Sequence, residues 1–182
     1  MLGVMIRRPC TTDFQELHDF FRLVITDTFI KEGIGDKVDE IEKEIETKKN
    51  YLKSDLASKG KKRYFLVAVY EQRIIGTIEY GPASDLIKTL TNRAYEHLVE
   101  VGTVFVHPEF QGKGVGNLLL SAICTNLKNN GIDEYCLDCG YNRALKIWRK
   151  KFGEPEYLFP DFWGMGHDHA IWKIRVEDCL RG

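Results

Sequence analysis

Apolar positions along the chain recur in two periods, near 2 and near 3.6, and the switches between them mark out strands and helices. Val4 and Ile6 alternate with polar neighbours before Pro9, which predicts a first strand ending near Arg8, because proline cannot continue a ladder. Thr12 and Gln15 have capping-box spacing, and Phe14, Leu17, Phe21 and Val24 follow at helical intervals, predicting a helix to about Thr28. Beyond Gly33 and Gly35, the positions Val38, Ile41, Ile45, Leu52 and Leu56 keep a helical period within a field of Glu and Lys, which predicts a second amphipathic helix ended by Gly60. The charged run from Asp36 to Lys62 reads as its wet face.

Two β-rich runs, 65–70 and 74–80, are separated by Glu71, Gln72 and Arg73, the length of a hairpin loop, and should pair antiparallel. The connection from Pro82 to Leu98 is long, with a helical turn around Leu86 to Leu90, and is read as the wall of a cleft. A strand from Val99 to Val106, a helix from Gly114 to Asn130 and a strand from Glu134 to Asp138 make a βαβ crossover. A short helix from Arg143 to Lys151 and a strand from His169 to Val176 complete the pattern. No repeat, low-complexity stretch or linker interrupts it, so residues 1–182 are expected to form a single domain.

Composition narrows the class. The 182 residues are 43% hydrophobic and 29% charged, with 26 Lys and Arg against 27 Asp and Glu. This balance argues for a globular chain, and a net charge of −1 gives no long-range field to capture nucleic acid or an anionic membrane. No stretch approaches the roughly 18 consecutive apolar residues that cross a bilayer. The five cysteines show no framework spacing, and the apolar run at Met1 to Ile6 is too short for a signal peptide, so a reduced, cytoplasmic setting is expected.

The most specific chemistry lies between Val104 and Gly116, where a strand ends, turns through glycines and opens a helix. Such a turn aims backbone N–H groups outward at the positive end of the helix dipole, a phosphate-binding arrangement. Gly112, Gly114 and Gly116 allow close approach of an anion, and Lys113 adds a charge. Neither the Walker loop nor the Rossmann fingerprint has this spacing.

Gln111 to Gly116, preceded by Val104, Val106 and Pro108, resembles the acetyl-coenzyme A signature Gln/Arg-x-x-Gly-x-Gly/Ala of the GNAT family of N-acetyltransferases. The resemblance extends to element order along nearly the whole chain. It implies an α/β fold with a mixed, mostly antiparallel sheet and helices on both faces. It also implies direct transfer from acetyl-CoA, as co-substrate, to a primary amine of a small molecule or peptide, with a homodimer left open. By this resemblance the backbone of Gln111, Gly112, Lys113, Gly114, Val115 and Gly116 cradles the coenzyme pyrophosphate. The signature strand at Val104, Phe105 and Val106 holds the pantetheine arm, with the Val106 N–H first among the donors to the thioester carbonyl.

The segment Tyr141 to Gly153 resembles the short helix that flanks the coenzyme, with Asn142 and Ala144 in roughly the family's places. It departs from the pattern at Trp148, where many members carry a tyrosine that protonates the departing thiolate; an indole N–H is no acid near neutral pH. Tyr141 and Tyr157 are candidate substitutes. For the base that takes the amine proton, Glu100 comes first, six residues before Val106 and on one face with Gly102, Val104 and Val106 by strand parity. Glu79, on the neighbouring hairpin strand, comes second.

Other groupings read as structural. Cys136 and Cys139 have C-x-x-C spacing but supply half a zinc site and point to opposite strand faces. His167 and His169 could start a metal site without an evident third ligand, so no metal is expected. Two further readings remain at this point: a non-catalytic acyl-CoA-binding module, favoured by Trp148, and an interaction protein, favoured by the aromatic segment of Phe162, Trp163 and Trp172.

Overall fold

A computed structural model describes residues 3–181. Met1 and Leu2, part of the apolar run weighed above as a leader, lie outside the described residues. The described residues form seven strands and six α-helices in mixed order. They are β1 (Met5–Arg7), α1 (Phe14–Lys31), α2 (Val38–Ser58), β2 (Tyr64–Tyr70), β3 (Arg73–Pro82), α3 (Asp85–Leu90) and β4 (Val99–Val106), followed by α4 (Val115–Asn129), β5 (Glu134–Cys139), α5 (Asn142–Phe152), β6 (Tyr157–Phe159), β7 (His169–Arg175) and α6 (Val176–Arg181). Strand pairing is antiparallel between β1 and β2, β2 and β3, β5 and β7, and β6 and β7, and parallel between β4 and β5. No helix of the described residues is long and apolar enough to cross a membrane.

The residues cluster into two compact units, each made of two chain segments. The first holds the chain to Tyr80 together with Thr103–Ile123; the second holds Gly81–Gly102 and the chain from Cys124 onward. Strand β4 passes from one to the other between Gly102 and Thr103.

In the first unit β2 is buried from Phe65 to Val69, the continuous apolar run of a strand covered on both faces. Phe21 of α1 packs against Phe65, with ring centroids 6.4 Å apart, and against Phe105 of β4 at 6.2 Å. Gly76 of β3 admits α4: a Cβ there would lie 2.9 Å from Leu119 Cδ1. The start of β2 is braced by Asp55, wholly buried, which accepts two bonds from Arg8 and the Phe65 N–H at 2.5 Å. The second unit has its own cluster of Ala83, Ile87, Tyr95, Leu98, Cys136 and Ile171, against which Tyr157 and Phe159 of β6 pack.

Several local expectations shift. The helix at the N-terminus is entered through a 3-10 turn at Thr11–Asp13, and the cap is made by Asp13, which accepts the Cys10 N–H at 2.8 Å. Gln15, expected to pair with Thr12, instead donates to Asp19 at 3.1 Å. The hairpin loop has two residues rather than three: Glu71 and Gln72 both take positive φ, 47° and 65°, the geometry whose twist matches the flanking strands. Strand β6 and helix α6 were not anticipated; three residues before a proline are too few to show a period.

The cysteines also differ from expectation. Cys124 of α4 and Cys179 of α6 form a disulfide across 55 residues, and Cys10, Cys136 and Cys139 remain thiols. Sequence spacing carries no trace of a pair this distant, and the pairing removes the premise from which a reducing compartment was inferred.

Candidate active site

The first unit brings together Glu79 and the strand, turn and helix from Val104 to Gly116. After Val106 the chain is held to β3 by the His107 N–H, which donates to Ile75 O at 2.9 Å. A 3-10 turn over Pro108–Phe110 then leads into the glycines. Gln111 spans this turn: its Nε2 donates to Val106 O at 3.1 Å, while its Oε1 accepts from Lys31 at 3.5 Å. The side chain of this glutamine therefore fixes the loop to the end of its strand.

Gly112 and Gly114 have φ of 72° and 86°, the left-handed region that L side chains rarely adopt, and a Cβ on either would meet nothing within 4 Å. Their conformation requires glycine, whereas packing against the protein does not. The first bond of α4 runs from the Leu118 N–H to Gly114 O at 3.1 Å, so the donors of Val115 and Gly116 precede the helix ladder. Lys113 is exposed, its Nζ 5.3 Å from the Phe110 ring. Open space over two left-handed glycines, a helix N-terminus and an adjacent ammonium together fit a pyrophosphate.

Strand β4 is not regular. Thr103 has φ of 50°, a rare conformation for a β-branched residue, worth about 1–3 kcal/mol of strain. It is held there by its neighbours: Thr77 Oγ1 donates to Thr103 O at 2.8 Å, and Thr103 Oγ1 donates to Glu79 Oε1 at 3.1 Å. This residue interrupts the simple alternation of β4. Strain at Thr103 on the signature strand has no hydropathy signal, and sequence reading missed it.

The two carboxylates weighed as bases differ in their surroundings. Glu79 is 1% exposed, with one oxygen taken by Arg63 at 2.6 Å and the other by Thr103. Accepting a proton would neutralise the counter-charge of the buried Arg63 guanidinium. In the second unit Glu100 is buried and accepts from Ser84 Oγ at 3.3 Å. Beside it Cys136, buried on β5, has its thiol pushed up to about 12, first by burial and then by the charges of Glu100 and Asp138.

The second unit also holds Tyr141, Asn142 and Trp148. Tyr141 precedes α5 as its N-cap residue and its carbonyl accepts the Leu145 N–H at 2.9 Å. Asn142 Nδ2 donates to Gly166 O at 3.0 Å, tying the helix start to the aromatic loop, and Trp148 stacks on Phe152 with centroids 5.7 Å apart. Tyr157 meets Tyr95 edge-on at 5.4 Å. His169 bonds to Trp163 and Asp138, and no group of three potential metal ligands exists among the described residues.

The arrangement can be compared with known proteins. No curated protein sequence matches the chain. Among solved structures, the PaiA N-acetyltransferase of Thermoplasma acidophilum in complex with coenzyme A is 19% identical, with a TM-score of 0.68 over 95% of this chain and 100% of that one. A GNAT-family acetyltransferase from Streptococcus pneumoniae is 18% identical, with a TM-score of 0.67 over 95% and 99%. YncA of Salmonella typhimurium, solved with acetyl-CoA, is 17% identical, with a TM-score of 0.66 over 96% and 94%. These likenesses carry the fold. The family model of the GNAT acetyltransferases matches residues 21–153, a span that runs from α1 through the glycine turn to the end of α5, and the chain therefore belongs to the GNAT acetyltransferase family.

Proposed function

We propose that this protein, acting as a single domain, moves the acetyl group of acetyl-CoA directly to a primary amine within a ternary complex, with no covalent enzyme intermediate. The observation that carries the reading is the turn before α4, with Gly112 and Gly114 left-handed, their Cα atoms open, and a helix N-terminus directly behind them. Bound acetyl-CoA supplies an acetyl thioester activated toward attack by nitrogen. The backbone from Gln111 to Gly116 would hold its pyrophosphate, with Lys113 as counter-charge. Val104, Phe105 and Val106 would take the pantetheine arm along their main chain, with the Val106 N–H as the donor to the thioester carbonyl. Asn142 and Trp148 would flank the coenzyme.

An amine attacks only when uncharged, so a carboxylate must take its proton, directly or through water. We assign this to Glu100. Glu79 ranks lower because a proton on it would leave the buried Arg63 guanidinium without its counter-charge. Tyr141 is the candidate acid, although a thiol of pKa about 8.5 also leaves unaided.

A screen of primary amines with acetyl-CoA, read by thiol release, tests the reading. The panel should span a polyamine, an aminoglycoside, a free amino acid, a peptide with a free N-terminus and a peptide lysine. Turnover with one acceptor class is expected. Thiol release no faster with any amine than without one would overturn the reading.

A further inference from the structure

At the end of β5, three side chains form a hydrogen-bonded chain that the transfer described above does not use. Trp163 Nε1 donates to His169 Nδ1 at 3.1 Å, and His169 Nε2 lies 3.0 Å from Asp138 Oδ2. An indole N–H can only donate, so Nδ1 carries no proton, and the ring proton sits on Nε2, which donates to the carboxylate. The imidazole has no room to turn. It is 4% exposed, and the Trp163 indole that holds it presses on Gly140, where a Cβ would come within 2.6 Å of Nε1. The loop bearing Trp163 is itself cross-tied, with the Gly166 N–H on Asp161 Oδ1 at 2.7 Å and the Asp161 N–H on Asp168 Oδ1 at 2.9 Å.

The consequence is a carboxylate held by one oxygen and open at the other. The Asp138 side chain is 24% exposed, and among the described residues no protein donor reaches its Oδ1. Its place in the sheet matters. The parallel ladder joins Val99 to Tyr135 and Glu100 to Cys136, after which β5 runs on to Cys139 in register with β7. Asp138 stands just past that ladder and just before α5, at the carboxyl end of a strand, where open α/β sheets take their ligands. Glu100 stands at the last pair of the ladder, and the two carboxylates both act on the buried Cys136 thiol between them. Two carboxylates thus share this face of the sheet end, where Lys173 is paired with Cys136, and a primary amine arrives at neutral pH as a cation.

We propose that Asp138 binds the ammonium group of the acceptor through its open Oδ1, and that His169, locked by Trp163, is the positioning residue that aims it. The proposal rests on the amine-acetylating reading above and deepens it. It gives the acceptor pocket a second anionic contact beside Glu100, so that acceptors carrying a charged amine are favoured over neutral alcohols or thiols.

The test uses the full chain with whichever of spermidine, lysine and a peptide with a free N-terminal alanine releases thiol fastest. Asp138→Asn keeps the shape and removes the charge. It should raise the acceptor KM about tenfold or more, the loss expected for one charged hydrogen bond, and leave the acetyl-CoA KM and the melting temperature unchanged. His169→Ala should act in the same direction, and His169→Gln, whose amide N–H can replace Nε2–H, should recover most of the acceptor affinity. An unchanged acceptor KM in Asp138→Asn overturns the proposal alone. So does an equal loss in His169→Ala and His169→Gln accompanied by a lower melting temperature, which would mark the chain as a brace. Absence of thiol release from the wild-type protein with every amine overturns the acetylation reading and this proposal with it.

Discussion

Arg63 Nη1 donates to Glu79 Oε2 at 2.6 Å, and both side chains are buried, at 9% and 1% exposure. The Arg63 guanidinium also lies 3.6 Å from the centroid of the Tyr51 ring. A carboxylate in this position stabilises the fold around it. Removing one member of a buried pair leaves an uncompensated charge, so Glu79→Ala should lower unfolding free energy by about 3–5 kcal/mol in urea titration. The double variant Arg63→Met with Glu79→Leu should recover most of the loss. A Glu79→Ala protein of normal stability but without turnover would return Glu79 to consideration as the base.

Glu100→Gln should behave differently. If Glu100 accepts the amine proton, turnover should fall most at low pH, where the amine is most protonated, with coenzyme affinity little changed. Initial rates against pH at saturating acetyl-CoA provide the measurement. A parallel drop at every pH would point to water as the proton acceptor.

Gly114 should be the least replaceable residue of the turn. Gly114→Val places a side chain at φ of 86° in space that the protein leaves open, so the expected stability loss is the backbone strain alone, about 1–2 kcal/mol. Coenzyme binding should be abolished, because that open space is where the phosphates would lie. Titration calorimetry beside a melting curve separates the two effects. In the wild-type protein acetyl-CoA should raise the melting temperature and NAD should not. Retained binding in a folded Gly114→Val protein would move the anion site elsewhere.

Asp13 accepts from Arg7 at 2.7 and 2.9 Å, and this pairing holds its carboxyl at about 2, below the ordinary 3.8. A depressed folded value gives stability that is complete above pH 3.8 and lost as pH falls through 2. The contribution is at most about 2 kcal/mol. Asp13→Asn should be less stable near neutrality and should flatten the stability profile across that window, as read by denaturant unfolding at stepped pH.

The disulfide between Cys124 and Cys179 closes a loop of 55 residues' separation, for which chain entropy predicts about 4 kcal/mol of stabilisation. Reductant should lower the melting temperature of the wild-type protein and leave Cys179→Ala unaffected. Alkylation after unfolding gives an independent count: three thiols, those of Cys10, Cys136 and Cys139, should label without reductant. All five cysteines should label once the protein is reduced. Five labelled thiols in both conditions would show that the bond is absent.

Hydropathy period, glycines and prolines by themselves determined the long elements and the family of this protein. Phe14 to Val24 and Val38 to Leu56 are helical because their apolar residues can reach a core only at that spacing, and the run from Val104 to Gly116 announces a strand, a left-handed turn and a helix start through its own backbone requirements. What depends on partners distant in the chain was decided by the tertiary structure. Thr103 is left-handed because Thr77 and Glu79 hold it there. Cys124 pairs with Cys179 only because α4 and α6 meet, and Glu79 acquires Arg63 only when the residue ahead of β2 lies beside β3. Asp138 is aimed by a histidine on β7 and a tryptophan on a loop, residues with no periodic relation to it, and one sequence contains no term for contacts between segments so far apart.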